Sequence, residues 1–167
     1  MRHFLIGVLL VDRKFIESSD LESARKCFLF SGVGDGFIYR VLEDGLCEIV
    51  NYKKGSVIYK ETDFRRSLGL VIKGTAAVTK NISGGRKYIM TAITSPGLFG
   101  AAAMFSSEES YVTRITASSP CRIAFFPQEL IEKLIDENRL IAKNYIAFLS
   151  GRIQFLNRKV QSLVTAS

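Results

Sequence analysis

The stretch SPGLFGAAAMFSSEESYVTR, Ser95 to Arg114, combines the residue types from which a binding loop can be made. Glycines at 97 and 100 let the backbone wrap closely round a small anion and turn its N–H groups toward it. The centre of the loop, Ala101 to Met104, then brings small and apolar side chains where a charged group would be needed to grip that anion. Other chemistries find less support. The single histidine, His3, stands near the start of the chain, so a histidine-built metal centre has no ligand set. Cys27, Cys47 and Cys121 are far apart with no CxxC pair, which reads as buried or free thiols in a reducing cytosol rather than as a disulfide or metal set. No nucleophile–base pair stands out, and no carboxylate pair at a diagnostic spacing, so no catalytic residue, metal or cofactor is assigned and an enzyme is not expected. FSGVGDGF, Phe30 to Phe37, is a glycine-rich turn without the strand–GxGxxG–helix setting of a dinucleotide site.

A loop of this kind needs a rigid frame, and from Cys47 onward the sequence has the rhythm of one. CEIVNYK, SVIYKET, LGLVIKG, TAAVTKN, RKYIMTAIT, YVTRITAS and CRIAFFP are short β-branched or aromatic runs separated by KKG, KG, NISGG, SPG and SSP. Many short strands at close spacing predict a sandwich, jelly roll or small barrel. Residues 12–46 read as helix and turn, with Ser18, Ser19 and Asp20 as caps before LESARKCF. The apolar run FLIGVLLV, Phe4 to Val11, is too short to span a bilayer and lacks a small-residue cleavage site, so it reads as an extension packed on this domain or a partner, and the protein as cytoplasmic with no membrane contact. The 167 residues suffice for one core, and a net charge of +7 favours anionic partners without being unusual for a soluble protein.

Pro127 suits the first turn of a helix, and PQELIEKLIDEN follows with Leu130, Ile131, Leu134 and Ile135 on one face. Then Ala142, Ile146, Leu149, Ile153, Leu156, Val160 and Leu163 recur at spacings of 4,3,4,3,4,3. β-branched residues at "a" (Ile146, Ile153, Val160) with leucine at "d" (Leu149, Leu156, Leu163) predict a parallel two-stranded coiled coil, hence a homodimer. A core helix within one chain is the alternative, usually with a wider stripe. A second line, Ile141, Phe148 and Phe155, flanked by Tyr145 and Arg152, is expected to lie against the β domain.

In this order of elements the sequence resembles the effector domain of the Crp–Fnr family of bacterial transcription regulators. YKKGSVIYKETD (Tyr52 to Asp63), LVIKGTAAV (Leu70 to Val78), SPGLFG (Ser95 to Gly100) and the two final helices carry the resemblance, over about residues 27–165. It implies an α+β fold: a double-stranded β-helix (jelly roll) of the cyclic nucleotide-binding-like type at residues 27–127, after an N-terminal extension at 1–26 and before a short helix and a long dimerisation helix at 128–167. It implies a cradle that reads Gly-Glu, nine residues, Arg-Ser in the cyclic-nucleotide-binding members, the glutamate taking the ribose hydroxyl and the arginine and serine the cyclic phosphate. An ungapped match puts Gly100 on the glycine, Ala101 on the glutamate, Tyr111 on the arginine and Val112 on the serine, so all three polar anchors are missing. Arg114 is an odd number of positions from Tyr111 and points to the other face of a strand. On the long helix, Leu156 and Asn157 stand where cyclic AMP binders place hydroxyl residues.

The departures agree with one another. They imply an unknown small-molecule effector other than a cyclic nucleotide, partly apolar or aromatic, held by Phe99, Gly100, Ala101, Ala102, Met104, Tyr111, Val112, Tyr145, Phe148 and Arg152. A loop filled by its own side chains, with no ligand, is the competing reading. The helix-turn-helix that follows the dimer helix in the family is absent up to Ser167, so DNA is expected to be reached only through a domain outside this chain, the chain being a regulator's sensor half or a stand-alone module.

Overall fold

The computed structural model describes residues 15–63, 65–82, 86–107 and 113–165. Two helices, α1 (Ser18–Lys26) and α2 (Asp35–Glu43), flank a 3-10 turn at Phe28–Phe30. Eight strands follow: β1 (Glu48–Tyr52), β2 (Val57–Tyr59), β3 (Ser67–Lys73), β4 (Thr75–Ile82), β5 (Arg86–Thr94), β6 (Leu98–Phe99), β7 (Arg114–Ala117) and β8 (Cys121–Pro127). Helices α3 (Gln128–Glu137) and α4 (Arg139–Thr165) complete the described chain. The strands form two four-stranded sheets, β1-β8-β3-β6 and β2-β7-β4-β5, in which every paired neighbour runs antiparallel. This is the jelly roll of the cyclic nucleotide-binding type expected from the sequence.

The strand β3 explains how the layers are arranged. Successive side chains of a strand point to opposite faces. Leu68, Leu70 and Ile72 face the helices and join the main core with Leu29, Phe30, Ile38, Leu42, Leu130 and Leu134. Val71, on the opposite face, enters the roll interior with Tyr59, Phe99, Ile115, Ile123 and Phe125. Gly69 lies on that interior face, and its missing side chain makes room for a ring: a Cβ there would collide with the Phe99 ring. Phe99 stands edge-on to Tyr59 at 5.5 Å and to Phe125 at 6.1 Å, so it is part of the roll's packing as well as the entry to the loop.

The N-terminal helix is fastened to this frame by charge. Glu17, rather than Ser18 or Ser19, is the N-cap of α1, and Asp20 closes a capping box by accepting the Glu17 N–H at 2.9 Å. Asp20 is fully buried and takes a fork from Arg122 of β8, Nε to Oδ1 at 2.7 Å and Nη2 to Oδ2 at 2.8 Å. Arg122 also donates to the Phe15 carbonyl at 3.2 Å. The glycine-rich run expected to be only a turn ends in α2, because Gly34, with an extended backbone, is the N-cap of a helix that starts at Asp35. Pro127 likewise sits one step earlier than expected. It is the last residue of β8 and the N-cap of α3, with φ −63° and ψ 158°, so its missing N–H costs nothing at either element. No helix among the described residues is long and apolar enough to cross a membrane.

Candidate functional site

The loop after β6 is built on a backbone turn that only glycine fits. Gly100 has φ +85°, and a Cβ there would stand 2.5 Å from the Ser67 carbonyl oxygen. Beyond it the chain tightens, with the Ala103 N–H on the Gly100 carbonyl at 3.0 Å. Ala101 and Met104 turn inward and are buried in the main core, whereas Ala102 is exposed. Phe105 closes the loop at φ +59°, a backbone conformation that bulky side chains rarely adopt and that its surroundings must hold. Its N–H donates to Gln128 Oε1 at 3.1 Å, and Arg66 Nη2 reaches the next carbonyl, Ser106, at 2.9 Å.

Helix α4 grips the loop through one residue. Tyr145, buried, donates its hydroxyl to the Ala101 carbonyl at 2.8 Å, and its ring meets that of Phe105 edge-on at 5.9 Å. The neighbouring Asn144 donates to the Leu29 and Ser31 carbonyls at 2.9 and 2.8 Å, so adjacent residues of α4 hold the loop and the 3-10 turn. The space among Leu29, Leu68, Leu98, Asn144, Tyr145 and Phe148 is too tight to admit a water molecule. Ser67 Oγ, buried on the roll side of β3 beside Gly100, has no hydrogen-bond partner among the described residues.

Burial pushes the Tyr145 phenol up to about 12. The phenol therefore stays protonated and donating across the ordinary pH range. Because the folded value lies above the ordinary value of 10, its contribution to stability is complete below pH 10 and is lost as pH rises toward about 12. Tyr145→Phe leaves the Ala101 carbonyl without that donor and is expected to cost about 1–2 kcal/mol. The variant should also show a shallower loss of stability between pH 10 and 12 in denaturant titrations than the unmodified protein.

Of the residues expected at the site, the structure brings together Gly100, Ala101, Met104 and Tyr145. Phe99 adjoins them but points into the roll. Phe148 lies one turn further along α4 and packs on the Phe28 ring at 6.1 Å. Arg152 is further still, its guanidinium 5.5 Å from the Phe155 ring. Phe155 was expected against the β domain with Phe148; it is instead 39 % exposed, because from Gly151 onward α4 runs past the domain and every described residue on it is exposed. Tyr111 and Val112 lie outside the described residues. Arg114 Nε donates to Glu61 at 3.3 Å, while its neighbour Ile115 enters the roll interior. Phe105, Gln128 and Ser67 were not foreseen. A strained φ and an unpaired hydroxyl leave no mark in a sequence, although an aromatic residue next to Met104 was a signal to follow.

A family model described as "Cyclic nucleotide-binding domain" matches residues 49–138, more than half of the chain. The chain belongs to the cyclic nucleotide-binding domain family. The expected Crp–Fnr resemblance is borne out with it. The chain is 30 % identical over 117 residues to the cAMP-activated global transcriptional regulator CRP of Pasteurella multocida, covering 70 % of this chain and 56 % of that protein. It spans little more than half the length of the curated relatives it matches. Its fold is that of the catabolite activator protein of Thermus thermophilus, with a TM-score of 0.72 at 21 % identity over 83 % of this chain and 63 % of that one. The sensor domain of the transcriptional regulator DNR from Pseudomonas aeruginosa superposes with a TM-score of 0.69 at 20 % identity, over 81 % and 90 % of the two chains. In this cyclic nucleotide-binding domain, Ala101 faces the core and its carbonyl is held by α4.

Proposed function

We propose that this chain is the effector-sensing and dimerisation domain of a Crp-like transcription regulator, and that its effector is a small molecule other than a cyclic nucleotide. The observation that carries the reading is Ala101: it replaces the glutamate that would hold a ribose and is buried against the domain's own core. Tyr111 and Val112, in place of arginine and serine, add no charged anchor for a cyclic phosphate. The effector's seat is the loop Gly100 to Met104 with Tyr145, whose hydroxyl is a polar group among otherwise apolar neighbours. Entry of the effector would exchange the Tyr145 hydrogen bond to Ala101 and so alter how α4 sits on the domain. A pair of α4 helices, joined at the heptad seam, would pass that change to a DNA-reading domain outside this chain. The same reading makes the protein cytoplasmic and assigns it no catalysis.

Calorimetric titration with cyclic AMP and cyclic GMP tests it. Each missing charge-assisted contact is worth about 1.5–3 kcal/mol, so neither nucleotide should bind below the millimolar range. Submillimolar binding of either one would make this an atypical cyclic-nucleotide module. A second reading, a β-roll without any ligand, draws on the burial of Ala101 and Met104, which fill the loop from within.

A further inference from the structure

We propose that the end of the helix-covered sheet beside the start of α1 is a binding site for a small zwitterion, an α-amino acid with a short polar side chain. Strands β1 and β3 stop there and β8 begins, and the three set Asn51, Arg122 and Lys73 side by side in register. At about 4.8 Å between neighbouring strands, the row is roughly 10 Å wide. Glu17, the N-cap of α1, reaches its middle, with Oε1 3.5 Å from Arg122 Nη1. Tyr52 and Pro120 add to the walls of a cavity of about 240 Å³. Pockets for drug-sized ligands hold roughly 300–1,000 Å³, so the occupant is smaller than these.

The lining is dipolar. Arg122 commits its fork to the buried Asp20, so those two charges offset each other. One accessible charge of each sign is left: the exposed Lys73 ammonium, and the Glu17 carboxylate, whose side chain is 47 % exposed. Among the described residues Lys73 makes no ion pair, and the Asn51 amide and Tyr52 hydroxyl make no hydrogen bond. Tyr52 is half-buried, and burial holds its phenol above the ordinary value, so it stays a protonated donor. A carboxylate is matched by Lys73 and an ammonium by Glu17, which leaves the Asn51 amide and Tyr52 hydroxyl for a polar side chain. A simple anion also meets Glu17, and a simple cation also meets Lys73, so each is a poorer match. No residue of the loop after Gly100 lines this cavity, so the site is independent of the effector seat proposed above. A ligand here ties α1 to β1 and β3 as well as to β8, and so stabilises the folded chain.

The test is thermal unfolding, then calorimetric titration, of the full chain with L-serine, L-threonine, L-asparagine and L-glutamine. Each is set against its N-acetyl derivative, which keeps the carboxylate and loses the ammonium, and against inorganic phosphate. At least one free amino acid is expected to raise Tm and to bind, with its N-acetyl derivative and phosphate weaker by about tenfold or more. Lys73→Met should weaken that amino acid about tenfold or more, and so should Glu17→Ser, which keeps a good N-cap while removing the charge. Both side chains are exposed, so both variants should keep the fold. Tyr145→Phe should leave the binding unchanged. Binding of none of the four, equal binding of the N-acetyl derivative or of phosphate, or unchanged binding by Lys73→Met would overturn the proposal. Binding lost in Tyr145→Phe and kept in Lys73→Met would overturn it too, and would place the ligand at the loop, leaving the proposed effector seat standing.

Discussion

Ile153→Glu is expected to elute as a folded monomer at concentrations where the unmodified protein elutes as a dimer. In the single chain, Ile146, Ile153, Leu156, Val160 and Leu163 are between 52 and 72 % exposed, an apolar stripe with no cover of its own. Of the leucines and β-branched residues of the seam, Leu149 alone leans on the main core. A glutamate at 153 therefore meets water in the monomer and disturbs no packing there. In a parallel coiled coil the "a" positions of the two helices face each other, and two carboxylates would be buried together. An uncompensated buried charge costs about 3–5 kcal/mol, which is a loss of at least a hundredfold in dimer affinity. Light scattering after gel filtration, with far-ultraviolet circular dichroism as the control for folding, reads the outcome. A dimer of unchanged mass would mean that the seam is not the interface.

Arg122→Ala should be the most damaging single change within the domain. Removing the guanidinium leaves Asp20 fully buried and unpaired, since the other bond to its carboxylate is the Glu17 N–H. The expected loss is about 3–5 kcal/mol, or roughly 10 °C or more in Tm for a chain of this size. Asp20→Asn with Arg122→Met removes both charges while an amide oxygen keeps the capping bond, and this double variant should recover most of the loss. Thermal unfolding of the two single variants and the double variant decides the matter. A loss below about 1 kcal/mol for Arg122→Ala would show that the fork contributes no more than a surface ion pair.

Much of this architecture was legible because it rests on periodicity. The seven β-branched runs all contain strands, and the 4,3 spacing falls within one continuous helix. The misses have physical causes. Strand β6 has two residues, too few to alternate, and exists only through its pairing with Gly69 and Leu70. Gly36 within α2 disguised that helix as part of a turn. At the site, the spacing of Ile141, Phe148 and Phe155 gave the correct face of α4 but not the point at which the domain ends beneath it. Ile141 is fully buried, Phe148 is half-buried and Phe155 is exposed. That the loop's centre, from Ala101 to Met104, is small and apolar was visible from residue type alone. The closure of the loop by Tyr145 and Phe105 was not, because it depends on one hydrogen bond and one positive φ.

Strand β3 is a party wall. Its alternate side chains belong to two different cores, the helix-covered one and the roll interior, and from Ser67 to Ile72 neither face reaches water. Neither core can loosen without withdrawing support from the other, so the helices and the roll are expected to melt as one cooperative unit. The loop after β6 hangs from the edge of that same sheet, through β6 on β3. Its opening is therefore confined to the few residues beyond Gly100. Motion at the loop must pass to α4 through the rings and the hydrogen bond at Tyr145, because the wall behind it is held from both sides.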